Sequence, residues 1–395
     1  MKYFLKNIFS ILPGKLVKEL KKQLKLPLVN IYKTGFSKNV LISYIRQPFI
    51  SGMDLSHTNR IEAVEIAKIF SRLNYNVDVV NYDYEGFIDY KKYEIIFGFG
   101  EPLNNCFTEK RNETKVIYYG TGMHIYTQNY NSLNRIENVQ KIKGKWLVNS
   151  GRIVDKTWSV QNMLADAVIT LGNDLVKESY KKYFNKNIYL LPASFIKKYD
   201  FKSLVESKNF GEAKKNYLWF GSGGKIHKGL DLLLDYFVSC PELHLHICGS
   251  LEGEEEFKNT YRKELFETPN IHFHGFVLID SKKFEQLLKD CAFVIFPSCS
   301  EAGGPSVLNV CGNGGLIPIV SKETTINIGK FGIEIKSLDR IGIDNAVSYS
   351  RSLDTNTLKE KSLNCGRFVN ENHSIKNFTD AFAKNLENIL TPAKK

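Results

Sequence analysis

Glu301 has the clearest chemical setting in this 395-residue chain. It follows residues 291–296 (Cys-Ala-Phe-Val-Ile-Phe), a continuous apolar run of the kind expected for a strand buried on both faces. It precedes Gly303, Gly304, Pro305 and Ser306 and a helical stretch carrying Asn309. A lone carboxylate thus sits at a strand's carboxyl end, beside glycines that let backbone approach a ligand closely. The helix that follows offers free N–H groups and a positive dipole end, which suit an anion such as a diphosphate. A second stretch repeats the layout. Residues 217–220 read as a strand, Gly221, Ser222, Gly223, Gly224 and Lys225 as a glycine-rich turn, and Lys228-Gly229 as a helix start. Flexible backbone, a helix start and lysines make a cradle for a diphosphate. The spacing is not that of a Walker A loop.

Together the two stretches resemble the donor site of the group 1 (family 4-like) glycosyltransferases, which have the two-domain GT-B fold. The resemblance implies a role for each residue. Glu301 contacts the donor sugar, Gly303 and Gly304 give backbone amides to sugar or phosphate, and Lys228 neutralises the diphosphate. Phe276 and Val277 lie in the loop that reads the nucleotide base. His124, in the glycine turn after residues 115–119, matches a histidine placed near the reacting carbon. With Glu301 and Lys228 it forms the expected catalytic set. His57, Thr58 and Asn59, in the first strand-to-helix loop, are candidates for the acceptor side.

Two positions depart from the family pattern. Asn309 stands where a second glutamate usually holds the ribose, replacing a carboxylate by a neutral amide. Ser222 stands where an arginine is usual, which removes a bidentate partner for phosphate. Lys225 is the expected compensation. The resemblance implies a retaining reaction, whereas the residues themselves leave the stereochemistry open. The chain has no Asp-x-Asp motif. Charge growing on the leaving diphosphate is therefore expected to be met by Lys228, Lys225 and backbone amides rather than by a metal. No cofactor is expected, because the nucleotide sugar is itself a substrate.

These residues need elements to hold them. Strand-like and helical patterns alternate along the chain, which predicts an α/β fold with parallel sheets. Strands are expected at 39–45, 77–80, 93–97, 115–119, 167–171 and 188–191, then at 217–220, 243–248, 271–274, 292–296 and 317–320. Helices are expected at about 58–73 and over 372–390. The reading is two doubly wound Rossmann-like domains with a ligand cleft between their strand carboxyl ends. Residues 37–200 form the acceptor domain and 201–370 the nucleotide-sugar domain. Residues 371–395 form a terminal helix crossing back to the first domain. A Lys-rich stretch at 197–215 reads as the interdomain linker.

The net charge of +12 is concentrated at one end. Residues 1–36 hold eight lysines against Glu19 alone, a net of +7, with apolar residues at helical spacing. A basic amphipathic segment of this kind suits an anionic membrane surface. No nucleic-acid motif accompanies the charge. There is no secretory signal and no apolar run long enough to span a bilayer. The seven cysteines show neither paired nor zinc-like spacing, and several lie in apolar strands. A cytoplasmic protein is expected, peripheral at the inner face of the plasma membrane. His244 and His246 with Cys248, and His272 with His274, share strand faces but read as packed residues rather than a metal site. The expected activity moves a sugar to a glycan or lipid-linked acceptor, in bacterial surface polysaccharide assembly. Two alternatives stand beside it. One is an inactive donor-binding or scaffolding relative, motivated by Ser222 and Asn309. The other is a nucleotide-sugar epimerase of the same fold, for which no acid/base carboxylate pair is evident.

Overall fold

The structure, a computed structural model, describes residues 26–156 and 158–391. Twelve strands form two six-stranded sheets whose pairings are all parallel. The first comprises β1 (Lys38–Tyr44), β2 (Tyr75–Asn81), β3 (Ile95–Gly98), β4 (Lys115–Gly120), β5 (Ala167–Leu171) and β6 (Ile188–Leu191), in the order β2-β1-β3-β4-β5-β6. The second comprises β7 (Asn216–Phe220), β8 (His244–Cys248), β9 (Ile271–Gly275), β10 (Phe293–Phe296), β11 (Ile317–Ser321) and β12 (Ile333–Ile335), in the order β12-β11-β10-β7-β8-β9. The strand order reverses between β1 and β3 and again between β7 and β10. A doubly wound sheet opens a crevice at such a point, outside the strand carboxyl ends.

The sequence pattern explains these elements. All four residues of β10 are fully buried, as the unbroken apolar run requires. The helix Asn59–Arg72 buries Ala63, Ile66, Ala67 and Phe70, one stripe at 3.6-residue period. The helix Ile375–Leu390 buries Phe378, Phe382 and Leu386 against the Asn59–Arg72 helix and β6. Its Phe382 ring lies 6.0 Å from Phe70 and 5.4 Å from Phe97, adding aromatic edge contacts to the apolar burial.

Three regions differ from expectation. Residues 197–215 are not an open linker. They contain the helices Phe201–Ser207 and Phe210–Ala213, whose Phe201, Leu204, Val205 and Phe210 are buried. Asp200 and Asn209 cap those helices, so short polar caps had disguised them as linker. Strand β12 has the burial pattern in-out-in around exposed Glu334, too short a signal to read from sequence. Residues 26–36 run along the sheet edge, where Leu28 exchanges two 2.8 Å backbone hydrogen bonds with Val79. The amphipathic stretch expected at the chain start otherwise lies outside the described residues. No helix among the described residues is long and apolar enough to cross a membrane.

Candidate active site

A cleft of about 470 Å³ lies between the two sheets. Its second-domain wall comes from the loops after β7, β8, β9 and β10, and its first-domain wall chiefly from the loops after β1 and β4. At its floor Lys228 Nζ is ion-paired with Glu301 Oε1, which also accepts from Ser298 Oγ at 3.3 Å. Burial pushes the Glu301 carboxyl upward, but Lys228 and Arg152 outweigh it and hold it at about 2. Burial likewise lowers the Lys228 ammonium, with Glu301 opposing. The backbone is fixed from behind. Trp219 Nε1 donates to Lys228 O at 3.2 Å, Cys299 N to His227 O at 2.9 Å and Glu301 N to Glu323 O at 2.9 Å.

His227, fully buried, stands beside this pair. Its Nε2 lies 3.9 Å from Glu301 Oε1, and its Nδ1 is 2.8 Å from Ser132 Oγ of the first domain. Burial, then the Arg152 charge, brings its pKa down to about 3, so the imidazole is neutral at physiological pH.

The glycine-rich turn after β7 is used differently from expectation. Gly224 N and Lys225 N donate to the Glu254 carboxylate at 2.8 and 3.0 Å. Lys225 is fully buried, and its Nζ is held by Ser250 O at 2.7 Å, Ser222 O at 3.1 Å and Glu254 Oε1 at 3.1 Å. An internal carboxylate therefore occupies the amides and the lysine expected to cradle phosphate. Lys225 does not line the cleft and does not compensate for Ser222. Gly221 and Ser222 do line it, whereas Gly223 and Gly224 do not.

The turn after β10 divides in a similar way. Ala302, Pro305, Ser306 and Asn309 line the cleft beside Glu301. Gly303 does not: its N–H donates to Thr325 Oγ1 at 2.7 Å, and it faces a separate cavity of about 330 Å³. A Cβ there would meet Ala193 Cβ at 2.4 Å, so glycine permits close passage of the segment that follows β6. Gly304 packs toward Thr324 and Ile326, outside the cleft lining. Asn309 Oδ1 accepts Ile196 N at 2.7 Å, tying the helix Pro305–Gly314 to the same segment after β6. Phe276 and Val277 line the cleft, the former well exposed and so available for stacking.

On the first domain, His57, Thr58 and Asn59 line the cleft. His57 Nδ1 accepts Asn59 N at 3.1 Å. Burial, with Lys228 and Arg152 adding to it, lowers the His57 pKa. His124 does not reach the cleft. It is fully buried, stacks on Tyr183 at 4.3 Å and accepts Tyr126 N at 3.3 Å as the N-cap of the helix Ile125–Lys143. Burial brings its pKa to about 4. It is a capping residue, because its side chain turns back toward Tyr180 and Tyr183 instead of out of the loop.

Sequence reasoning missed two charged cleft residues. Arg152 lines the floor from the first domain. Glu62, buried in the helix Asn59–Arg72, lines the opposite wall within 3.4 Å of Tyr119 Oη and 3.3 Å of Ser194 Oγ. Burial raises Glu62 to about 7. A glutamate set among apolar helix positions was its only sequence signal. Four further histidines form a ladder across β8 and β9, with His244 3.1 Å from His272 and His246 3.1 Å from His274. No group of three or more His, Cys, Asp or Glu among the described residues is arranged to hold a metal ion.

Residues 202–326, which contain both Lys228 and Glu301, match the family described as glycosyl transferases group 1. No curated protein matches the chain. Among solved structures, it is similar to the HepE protein of Anabaena in complex with UDP and glucose, at 12% identity and TM-score 0.58, covering 89% of this chain and 100% of that one. It is also similar to the catalytic domain of starch synthase IV from Arabidopsis thaliana bound to ADP and acarbose, at 10% identity and TM-score 0.50, covering 90% and 99%. A third similar structure is the apo form of the lipopolysaccharide outer core galactosyltransferase WaaB, at 15% identity and TM-score 0.50, covering 89% and 100%. At such identities the likeness concerns the fold, while the matched segment concerns the class of chemistry. Residues 202–326 thus match a group 1 glycosyl transferase domain, and the chain is a glycosyltransferase with two Rossmann-like domains in the GT-B arrangement.

Proposed function

We propose that this enzyme moves a glycosyl unit from a nucleotide sugar to a glycan or lipid-linked acceptor, with retention and without a metal. The observation that carries the reading is the Lys228–Glu301 pair at the cleft floor, inside the matched segment. The bond from the anomeric carbon to the diphosphate oxygen breaks with its electron pair left on oxygen. Lys228, itself buried, is placed to neutralise that charge. Its engagement by phosphate releases Glu301 to accept hydrogen bonds from sugar hydroxyls. The acceptor hydroxyl forms the new bond, and the departing diphosphate takes its proton. Phe276 and Val277 face the nucleotide base. Residues 37–200, with His57 and Asn59, face the acceptor, and residues 201–370 hold the donor. In this reading the basic segment that starts the chain meets an anionic membrane surface, where a lipid-linked acceptor for bacterial surface polysaccharide would be presented.

A second reading, donor binding without transfer, is favoured by Asn309. Its Oδ1 is committed to Ile196 N and not to a ligand. One experiment separates the two. The protein is titrated with UDP-glucose first, because HepE was solved with UDP and glucose, and then with other UDP-, GDP-, ADP- and CDP-sugars. Melting temperature and nucleoside diphosphate release are read together. A donor at 100 times its Kd stabilises by about 2.7 kcal/mol. A shift with release supports transfer, and a shift that never leads to release supports the second reading. No shift with any donor refutes both.

A further inference from the structure

We propose that Arg152, supplied by the first domain, makes the cationic contact to the donor diphosphate that position 222 lacks. The inference rests on the donor reading above.

Four observations carry it. First, Arg152 lines the cleft together with Lys228, Glu301 and Ser222. Its charge acts on both members of the floor pair and on His57. Second, no hydrogen bond or ion pair among the described residues engages its guanidinium. Arg135, by comparison, is bound to Asp231 and to Leu338 O. Third, the residue is anchored at its backbone and stem, while its side chain stays exposed. Arg152 has φ +50°, a left-handed backbone that a non-glycine residue adopts only when its surroundings impose it. Its carbonyl accepts Gln128 Nε2 at 3.0 Å. Two residues earlier, Ser150 O accepts Ile226 N and His227 N, both at 3.1 Å, and docks the loop on the second domain. The Arg152 stem lies over Gly224, where a Cβ would fall 2.4 Å from Cγ and 2.5 Å from Cδ. Gly224 thus leaves room for the arginine as well as meeting its own φ of +87°, with its N–H already committed to Glu254.

The fourth observation is the charge balance. Lys225 is consumed by Glu254, and Lys228 is matched by Glu301. A diphosphate brings at least two negative charges, so the floor pair alone cannot balance it. Arg152 is the cleft-lining cation left without a carboxylate partner among the described residues. A guanidinium presents a planar fork that binds phosphate oxygens bidentately. Because it comes from the first domain, diphosphate binding would also draw the two domains together across the Ser150 hydrogen bonds.

The test compares wild type, R152A, R152K and R152A/S222R by calorimetric titration. The probes are UDP, GDP, ADP and CDP, then the nucleoside of whichever diphosphate binds. R152A is expected to weaken diphosphate binding by at least about tenfold and to leave nucleoside binding unchanged. R152K is expected to lie between R152A and wild type, and S222R to restore part of the loss. Equal diphosphate affinity in wild type and R152A would overturn the assignment and leave the donor reading intact. Equal loss of diphosphate and nucleoside binding would also overturn it, since that marks a damaged fold. If wild type binds no nucleoside diphosphate, the donor reading itself fails, and this inference fails with it.

Discussion

Lys225 and Lys228 stand three residues apart in one turn, both buried and both paired with a glutamate, yet only Lys228 faces the cleft. The difference lies in their partners. Lys225 Nζ has two backbone carbonyls and the Glu254 carboxylate, and Glu254 in turn takes two backbone N–H groups. That network is closed and leaves nothing for a ligand. Lys228 has Glu301 and the Phe296 ring 5.3 Å away, in a pair open to the cleft. A glycine-rich turn with lysines therefore marks a phosphate site only where its donors are left unspent.

The sharpest way to break this comparison is to remove each lysine in turn. Lys228→Ala should lower kcat/KM by about 10²–10³, the scale for losing one group that stabilises developing charge. Lys225→Met should leave kcat/KM near wild type once assayed well below its melting temperature. If the two variants lost activity equally, the division between structural and functional pair would be wrong.

Stability should show the reverse order. Lys225→Met strands Glu254 in the interior without its cation, and a broken buried pair costs about 3 kcal/mol or more. A denaturant midpoint that falls with an unchanged m-value would show it. The domain interface offers a second case of similar size. Arg135 and Asp231 form a buried pair between the helix Ile125–Lys143 and the second domain. Arg135→Met should cost about 3 kcal/mol and leave the isolated donor affinity largely intact.

The sequence makes some of this legible and hides the rest for physical reasons. Strand β10 is apolar along its whole length and β5 is so apart from Thr170, because both faces are covered, so their position is plain. Glu301 and Lys228 are legible because each belongs to the glycine-rich segment between a buried strand and the helix after it. Glu254 is not, since it reaches the turn from 29 residues away from Lys225. Arg152 is hidden for a related reason: it belongs to no motif, and its place depends on how one domain docks on the other. His124 has the right loop and the wrong direction, because loop identity does not fix which way a capping side chain turns. Residues 201–213 fail in the opposite sense, their short helices being too brief to show a period.

A third buried glutamate sharpens the rule. Glu254 and Glu301 have cationic partners that overcome burial and lower their pKa values. Glu62 has only the Tyr119 and Ser194 hydroxyls, and burial raises it to about 7 from an ordinary 4.5. A carboxyl whose folded pKa is raised favours the folded state fully below the unfolded pKa. That contribution is lost as pH climbs through the folded value. Wild type should therefore lose stability relative to Glu62→Gln between about pH 4.5 and pH 7. The amide keeps an acceptor for one hydroxyl and never ionises. At pH 4.5 the two proteins should unfold at the same denaturant midpoint. At pH 8 the variant should be more stable by about 2–3 kcal/mol, the free energy of roughly two pKa units. Equal midpoints at pH 8 would mean that Glu62 ionises without penalty, through water or a cation reaching it from the cleft. Absence of a cationic partner would then no longer explain why this glutamate behaves unlike the other two.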